Sequence, residues 1–391
     1  MRVFMICPAM VATGGTELLH QFSKCLSDAG VENYMVYPNA DKINCPTPPS
    51  FLKYGVKYVS TYVDASDSIL VLPETQIHLA DICKKGTVMA WWLSVANYIR
   101  EYQDMIEENP DIFNLKEREN VVHFVQSYYA KEFVNTYFNK DECYDLKDYI
   151  NDEIMDYAFR NKECFKRENV CLYNPKKGYE VIKPIMDACR KDIVWKPLSN
   201  MSPTQMAEAM CKAKVYVDFG NHPGKDRIPR ESAICGCCIL TNREGSAANT
   251  EDVAILEQYK IEDTSESSVV LEKIYDLVDH YEERIEDYAF YRDKIHGEKA
   301  EFLYEVEAAA SILAEKARGR NMKKTHGNSQ CLQILDSISK AAGKVQELAE
   351  ASKELYCEEE YSSAANKLLT MDYLLQMIRE TVYAEIGEMV E

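Results

Sequence analysis

The chain has 391 residues, 46% hydrophobic and 10% aromatic, enough apolar material for two or three packed domains and too much for a disordered chain. A formal charge of −19 excludes a general nucleic-acid binder, because phosphate recognition needs a basic face, but leaves room for a local basic pocket around one nucleotide. No run approaches the roughly eighteen apolar residues of a membrane span, and the opening MRVFMICPAM is too short for a signal core, so the chain reads as cytoplasmic.

Residues 2–7 (RVFMIC) form a short β-run. Gly14 and Gly15 then turn the chain and Thr16 is placed to cap a helix. In that helix Leu18, Leu19, Phe22, Cys25, Leu26 and Ala29 recur at helical spacing until Gly30 stops it. Strand, glycine turn and helix suit a phosphate, but the spacing is neither a dinucleotide fingerprint nor a P-loop, and the same glycines serve a plain tight turn equally well. NYMVYP and SILVLP are further β-runs, the second ending at Glu74 beside a helix, QIHLADICKKG. TVMAWWLSVANYI reads as a central strand with Ser94 and Asn97 at its end, and VVHFVQS leads into the helix YYAKEFVNTYF. Strands alternating with helices in this way predict a doubly wound parallel sheet. The alternation stops near residue 140, where an acidic, aromatic and poorly periodic segment follows.

A second alternation begins with the strand VCLY, which ends in Asn174-Pro175-Lys176-Lys177-Gly178 before a helix over 180–189 and the strand DIVWKPL. MSPTQMAEAMCKAK is an amphipathic helix with Ser202 as N-cap, Pro203 in its first turn, and Met206, Met210 and Ala213 inward. It delivers the chain to the most informative stretch, residues 215–247. There an apolar strand turns through Gly220 and Pro223-Gly224, releases a cluster of charges that includes Lys225, Asp226, Arg227, Arg230 and Glu231, and becomes apolar again. Parallel sheets bind ligands at the carboxyl ends of their strands, so this loop faces a ligand or is a solvated connection. An ILTN strand follows, then charged helices over about 265–316.

Of the fourteen cysteines, most stand singly where a reduced thiol acts as a small hydrophobe. The cluster Cys235, Cys237, Cys238 lacks a second Cys or His pair at zinc spacing, so no metal is expected there. Beyond a basic linker, RGRNMKKTHGNS, two helices carry heptad-like stripes, Leu335 to Ala349 and Leu368 to Val382, suited to a helical hairpin or a homo-oligomeric coiled coil. The linker is a candidate for peripheral contact with an acidic membrane surface, with a solvated connector as the alternative.

Three segments carry a family resemblance. GGTELLHQFSKCLSDAG resembles the first loop and helix of the retaining, family-four type glycosyltransferases of bacterial polysaccharide assembly. YNPKKGYE resembles their strand-end Lys-Gly segment, and PRESAICGCCIL their Glu-x-x-x-x-Gly-x-Pro-Val stretch. The resemblance spans about residues 1–300 and implies a GT-B fold, an α/β architecture of two doubly wound Rossmann-like domains facing across a cleft. Residues 1–150 would form the acceptor side, 165–300 the nucleotide-sugar donor side, and 301–391 a helical region.

The resemblance further implies transfer of a sugar from a nucleotide sugar to a glycan or lipid-linked acceptor, retention being inherited with it, and no metal or other cofactor. Lys176, Lys177 and Gly178, with Lys225, Arg227 and Arg230, would hold the donor's diphosphate, since a cation must neutralise the leaving group. Glu231 would accept from the ribose hydroxyls. Gly14, Gly15, Thr16 and Glu17 form the first-domain loop, the glycines allowing close approach to sugar or phosphate. The family's other glutamate, eight positions earlier, is replaced here by Pro223, and the Pro of the last motif by Cys238. Asp218, His222 and Asp226 are therefore the candidate catalytic residues facing the transferred sugar. A noncatalytic nucleotide-sugar-binding scaffold working through its helical tail is the alternative function, and a nucleotide-sugar epimerase a third.

Overall fold

The computed structural model describes residues 1–38, 40, 43–139, 142–161 and 163–319. The basic linker, apart from its first two residues Arg318 and Gly319, and both heptad-patterned segments lie outside the described residues. The first half contains β1 (Arg2–Ile6), α1 (Gly14–Asp28), β2 (Glu32–Val36), β3 (Tyr58–Val59), β4 (Ser68–Pro73), β5 (Thr87–Trp92), α2 (Val95–Glu108), β6 (Val121–Val125), α3 (Tyr128–Phe138) and β7 (Cys143–Asp145). These strands form a seven-stranded sheet in the order β3-β2-β1-β4-β5-β6-β7, with every pair parallel. Helices cover both faces of such a sheet, which is why β4 and β5 read as unbroken apolar runs and are buried along their whole length.

The second half contains α4 (Asp152–Asn161), β8 (Glu168–Tyr173), α5 (Tyr179–Ala188), β9 (Val194–Pro197), α6 (Pro203–Lys212), β10 (Ala213–Asp218), α7 (Arg227–Ile234), β11 (Cys238–Asn242), β12 (Lys260–Ile261), α8 (Ser267–Asp279), α9 (Tyr281–Arg284) and α10 (Ala289–Gly319). Its five strands are parallel in the order β12-β11-β10-β8-β9. The thiols of Cys171, Cys211, Cys235, Cys237 and Cys238 lie in the core of this half, among Ile239, Leu240 and Met210. Helix α10 joins the halves. Tyr291 and Ile295 belong to the second core, whereas Phe302, Val306, Ala309, Leu313 and Ala317 pack against Val3, Met5, Ile69 and Trp91 of the first. No helix of the described residues is long and apolar enough to cross a membrane.

Four local expectations change. Helix α1 starts at Gly14 and is capped by Thr13, not Thr16. The Thr13 N–H donates to Thr16 Oγ1 at 2.8 Å and the Thr16 N–H returns to Thr13 Oγ1, so Gly14 and Gly15 are helical residues rather than a turn. The run Thr87–Ile99 divides at Ser94, whose hydroxyl accepts the Asn97 N–H and starts α2. The stretch after Pro73 is a 3-10 segment, Glu74–Ile82, and not an α-helix. It ends where the backbone N–H groups of Lys84, Lys85 and Gly86 turn to the Asp64 carboxylate. The aperiodic segment beyond residue 140 supplies β7 and α4. Helix α6 begins as its sequence reads, with a reciprocal Ser202–Gln205 cap.

Candidate functional site

The loops that follow β8 and β10 meet at the carboxyl edge of the second sheet. Gly178 has φ +63°, and a Cβ there would collide with the Phe219 carbonyl; a Cβ on Gly220 would stand 2.6 Å from Lys177 Cβ. This close approach lets Lys177 Nζ reach Asp226 Oδ2 at 2.6 Å. The same oxygen lies 3.1 Å from His222 Nδ1. The His222 N–H direction is off the line to that oxygen, so the contact is between charges rather than an aligned hydrogen bond. On the other side of the ring, Asp218 Oδ1 is 3.8 Å from Nε2. Asp218 Oδ2 accepts from the Tyr216 hydroxyl at 2.8 Å.

The result is a continuous chain, Lys177–Asp226–His222–Asp218–Tyr216, closed at one end and open at the other. The side chains of His222 and Asp218 are 0% and 2% exposed, those of Lys177 and Asp226 27% and 20%. Of the three residues expected to face the sugar, only Asp226 opens toward solvent, because His222 and Asp218 sit behind it. Burial disfavours a charge on His222, but Asp226 and Asp218 outweigh it and raise its pKa. Burial likewise opposes ionisation of Asp226, and His222 and Lys177 outweigh it and hold its pKa below the usual carboxylate value. The polar side-chain atoms of Asp218, His222 and Asp226 form a compact cluster, within 4.8 Å of one another. The Lys177 ammonium supplies the positive charge at that cluster.

Helix α7 carries the second group. Arg227 reaches across to the first half, pairing with Glu17 Oε2 at 2.5 Å and Asp148 Oδ2 at 3.2 Å, and donating to Gln21 Oε1. Gly14 faces this arginine, since a Cβ there would contact Arg227 Nε at 3.5 Å, and a Cβ on Gly15 would touch Leu93. Gly14 thus meets a guanidinium of the other half, and Gly15 a leucine of its own. Thr16 serves the helix cap, and Glu17 also accepts from the Tyr54 hydroxyl.

Arg230 and Lys225 are enclosed. Arg230 pairs with Asp148 Oδ1 at 2.7 Å and Glu298 Oε2 at 2.6 Å, and Lys225 Nζ with Glu298 Oε1 at 2.9 Å. Burial opposes the charge on Arg230, and Asp148 and Glu298 more than restore it. Both cations were expected at the diphosphate, but their charges are met inside the protein. Lys176 is exposed, its N–H turned to Asn174 Oδ1. Glu231 is buried at 7% exposure. Among the described residues no hydrogen bond reaches its carboxylate. Burial raises its pKa, with Arg227 and Arg230 opposing.

The two halves close on this edge. Lys225 N–H donates to Gln126 Oε1 at 3.2 Å, and Gly224 lies so near the Leu93 carbonyl that a Cβ would collide with it. Asp252 of the second half accepts the Tyr128 and Tyr129 N–H groups at the start of α3, at 2.7 and 2.9 Å. A shallow depression of about 470 Å³ lined by Cys83, Lys84, Arg118, Glu119 and Asn120 lies at the opposite, amino-terminal end of β6.

Sequence reasoning missed Asp148, Glu298, Gln126 and Glu74. Glu298 had a signal, since it falls on the inward stripe Tyr291, Ile295, Phe302 of α10 and interrupts it with a charge. Glu74 is fully enclosed at the end of β4, where it accepts the Leu93 N–H at 3.1 Å. Burial pushes its carboxyl up to about 7.

Two parallel, doubly wound sheets whose carboxyl edges face each other, joined by a helix that crosses back, define the GT-B architecture of glycosyltransferases. Solved structures share it across 80% of this chain. They include the sucrose-phosphate synthase of Thermosynechococcus elongatus (12% identity, 99% of that chain, TM-score 0.57). Anabaena HepE in complex with UDP-glucose matches at 9% identity over 100% of its chain (TM-score 0.59). A variant of S. aureus TarM in complex with fondaparinux, α-GlcNAc-glycerol and UDP matches at 10% identity over 99% of its chain (TM-score 0.55). At such identities the likeness establishes the fold alone. No family model matches the sequence, and no curated protein does.

Proposed function

We propose that this protein transfers a sugar from a nucleotide sugar to a glycan or lipid-linked acceptor, in cell-surface polysaccharide synthesis. The observation that carries the reading is Glu231, a buried carboxylate without a hydrogen bond among the described residues, held on α7 at the facing edges of a GT-B fold. A carboxylate in that state is completed by a pair of neighbouring hydroxyls, as a ribose presents. The nucleotide sugar or nucleotide recorded with HepE and with TarM supports the same donor class.

In this reading Lys177, Lys176 and Arg227 gather on the diphosphate, Lys177 leaving Asp226 and Arg227 turning from Glu17. Lys225 and Arg230 hold α7 in place. The bond between the anomeric carbon and the diphosphate oxygen breaks, and the acceptor hydroxyl forms the new glycosidic bond on the same face. Its proton passes to the departing diphosphate. Positioning and stabilisation of the leaving group carry the rate, so neither a strong nucleophile nor a metal is needed.

The test is titration of the full chain with UDP and other nucleoside diphosphates, alongside a donor-consumption assay. Glu231→Ala is expected to weaken nucleoside diphosphate binding by about tenfold or more, the loss of one charge-assisted contact. Unchanged affinity in Glu231→Ala defeats the assignment. Binding without donor consumption, with or without acceptor, leaves the noncatalytic binder in its place.

A further inference from the structure

We infer that His222 is a positioning residue whose imidazolium shares Asp226 with Lys177 and thereby releases the Lys177 ammonium to the donor's diphosphate. The inference rests on the donor-binding reading above and adds a control element to it.

Both cations address one atom, Asp226 Oδ2, with Lys177 Nζ at 2.6 Å and His222 Nδ1 at 3.1 Å. They differ in freedom. The His222 ring is wholly enclosed, whereas Lys177, on a long flexible stem, is 27% exposed and sits at the open end of the chain of contacts. Only Lys177 can move to a ligand.

The charge balance decides whether it moves. With His222 protonated, two carboxylates (Asp218 and Asp226) face two cations (His222 and Lys177), and the cluster is neutral. Lys177 can then leave while His222 still lies between both carboxylates. With His222 neutral, Lys177 is the one cation of the cluster left to two carboxylates, the enclosed Asp218 and the partly open Asp226, and its departure leaves both without a counter-charge. A neutral ring has one proton for two nitrogens, so one of the two carboxylates, Asp226 Oδ2 at 3.1 Å from Nδ1 or Asp218 Oδ1 at 3.8 Å from Nε2, is left beside an acceptor. Donor affinity is therefore linked to the proton on His222, and by reciprocity donor binding favours that proton.

The charged and titratable groups around the ring are few. Asp218 and Tyr216 face it from β10, Asp226 from its own loop and Lys177 from the turn after β8, with Glu231 of α7 beyond Tyr216. From the β11 side Ser246 N–H reaches the His222 carbonyl, and Asn242 reaches Gly220; neither side chain titrates. Burial lowers the tendency of His222 to charge and its two aspartates raise it further, so the ring titrates above its ordinary value. The sign follows. Binding is strongest below that raised pKa and weakens as pH rises through it, by about tenfold per pH unit at its steepest for one linked proton.

The experiment is calorimetric titration of the full chain with UDP between pH 6 and 9, in buffers of different ionisation enthalpy so that proton uptake is read directly. Wild type is expected to lose affinity with rising pH and to take up a proton on binding in the upper range. His222→Gln is expected to bind about tenfold more weakly at pH 6 and to show neither the slope nor the uptake. A merely structural histidine would lower the melting temperature without removing the proton linkage. Asp226→Asn, which loosens the hold on Lys177 by another route, is expected to flatten the same profile and serves if His222→Gln does not fold. A His222→Gln or Asp226→Asn protein that keeps the wild-type slope and proton uptake overturns the inference and leaves the donor-binding reading intact. A wild type that binds no nucleoside diphosphate at any pH overturns both.

Discussion

Glu298 offers the sharpest test of how the candidate site is held. One carboxylate of α10 pairs with two enclosed cations, Arg230 at 2.6 Å and Lys225 at 2.9 Å, and both belong to the segment that positions Glu231. In Glu298→Ala, Lys225 loses its ion-pair partner, and Arg230 keeps Asp148 as its one carboxylate beside the carbonyls of Asp226 and Lys225. Breaking a buried pair costs about 3–5 kcal/mol because the remaining charge is stranded, and with two cations affected the upper half of that range applies, about 4–5 kcal/mol. The compact unit containing this network runs from Met1 to Arg320. At ~2.1 cal/mol/K per residue its unfolding entropy is about 0.7 kcal/mol/K, so the melting temperature should fall by about 6–8 °C. Glu298→Gln, which keeps an acceptor but not the charge, should lose roughly half as much. The assay is scanning calorimetry of the full chain at neutral pH, and UDP affinity should fall with the loss because α7 loosens. A Glu298→Ala protein melting within about 1 °C of wild type would refute the argument that this network fastens α7.

Gly178→Ala should cost at least about 1–3 kcal/mol, since a positive φ and a collision with the Phe219 carbonyl act together. Thermal melting reads the cost, and UDP titration reads the displacement of Lys177. Glu74 predicts a pH effect on stability. Its folded pKa is raised to about 7 by burial, so its contribution is complete below the ordinary carboxylate value and is lost as pH rises through 7. The loss is about 3 kcal/mol at most. Melting temperatures of wild type and Glu74→Gln, compared at pH 5 and pH 8, should diverge in that direction; a constant difference between them contradicts it. Wild type also carries Glu305, raised to about 7 by burial, so the variant keeps part of the slope.

The strands were legible wherever both faces are buried. VCLY, SILVLP and VVHFV stand out because a parallel sheet leaves no polar alternation. Boundaries failed where a polar side chain and not the apolar pattern decides them, as at Thr13 and Ser94, whose hydroxyls start helices inside otherwise continuous readings. At the site, the charged loop after β10 was visible as a cluster of charges. The partition among those charges was not. Whether an arginine faces a ligand or a carboxylate depends on residues far away in sequence, such as Asp148 and Glu298 for Arg230, and no local pattern encodes that pairing.

Helix α10 has a consequence for the order in which the protein can be made. The core containing Val3, Met5, Ile69, Val71, Met89 and Trp91 is completed by Phe302, Val306 and Leu313. A ribosome delivers those residues roughly 300 positions later, about 15–60 s after the first strand at ordinary elongation rates. Through that interval the part of this face that Leu18, Leu19, Phe22 and Leu26 of α1 do not cover is without its permanent partner. The first half therefore cannot reach its final state during synthesis ahead of the second, and a chain cut after β7 leaves that face open to aggregation.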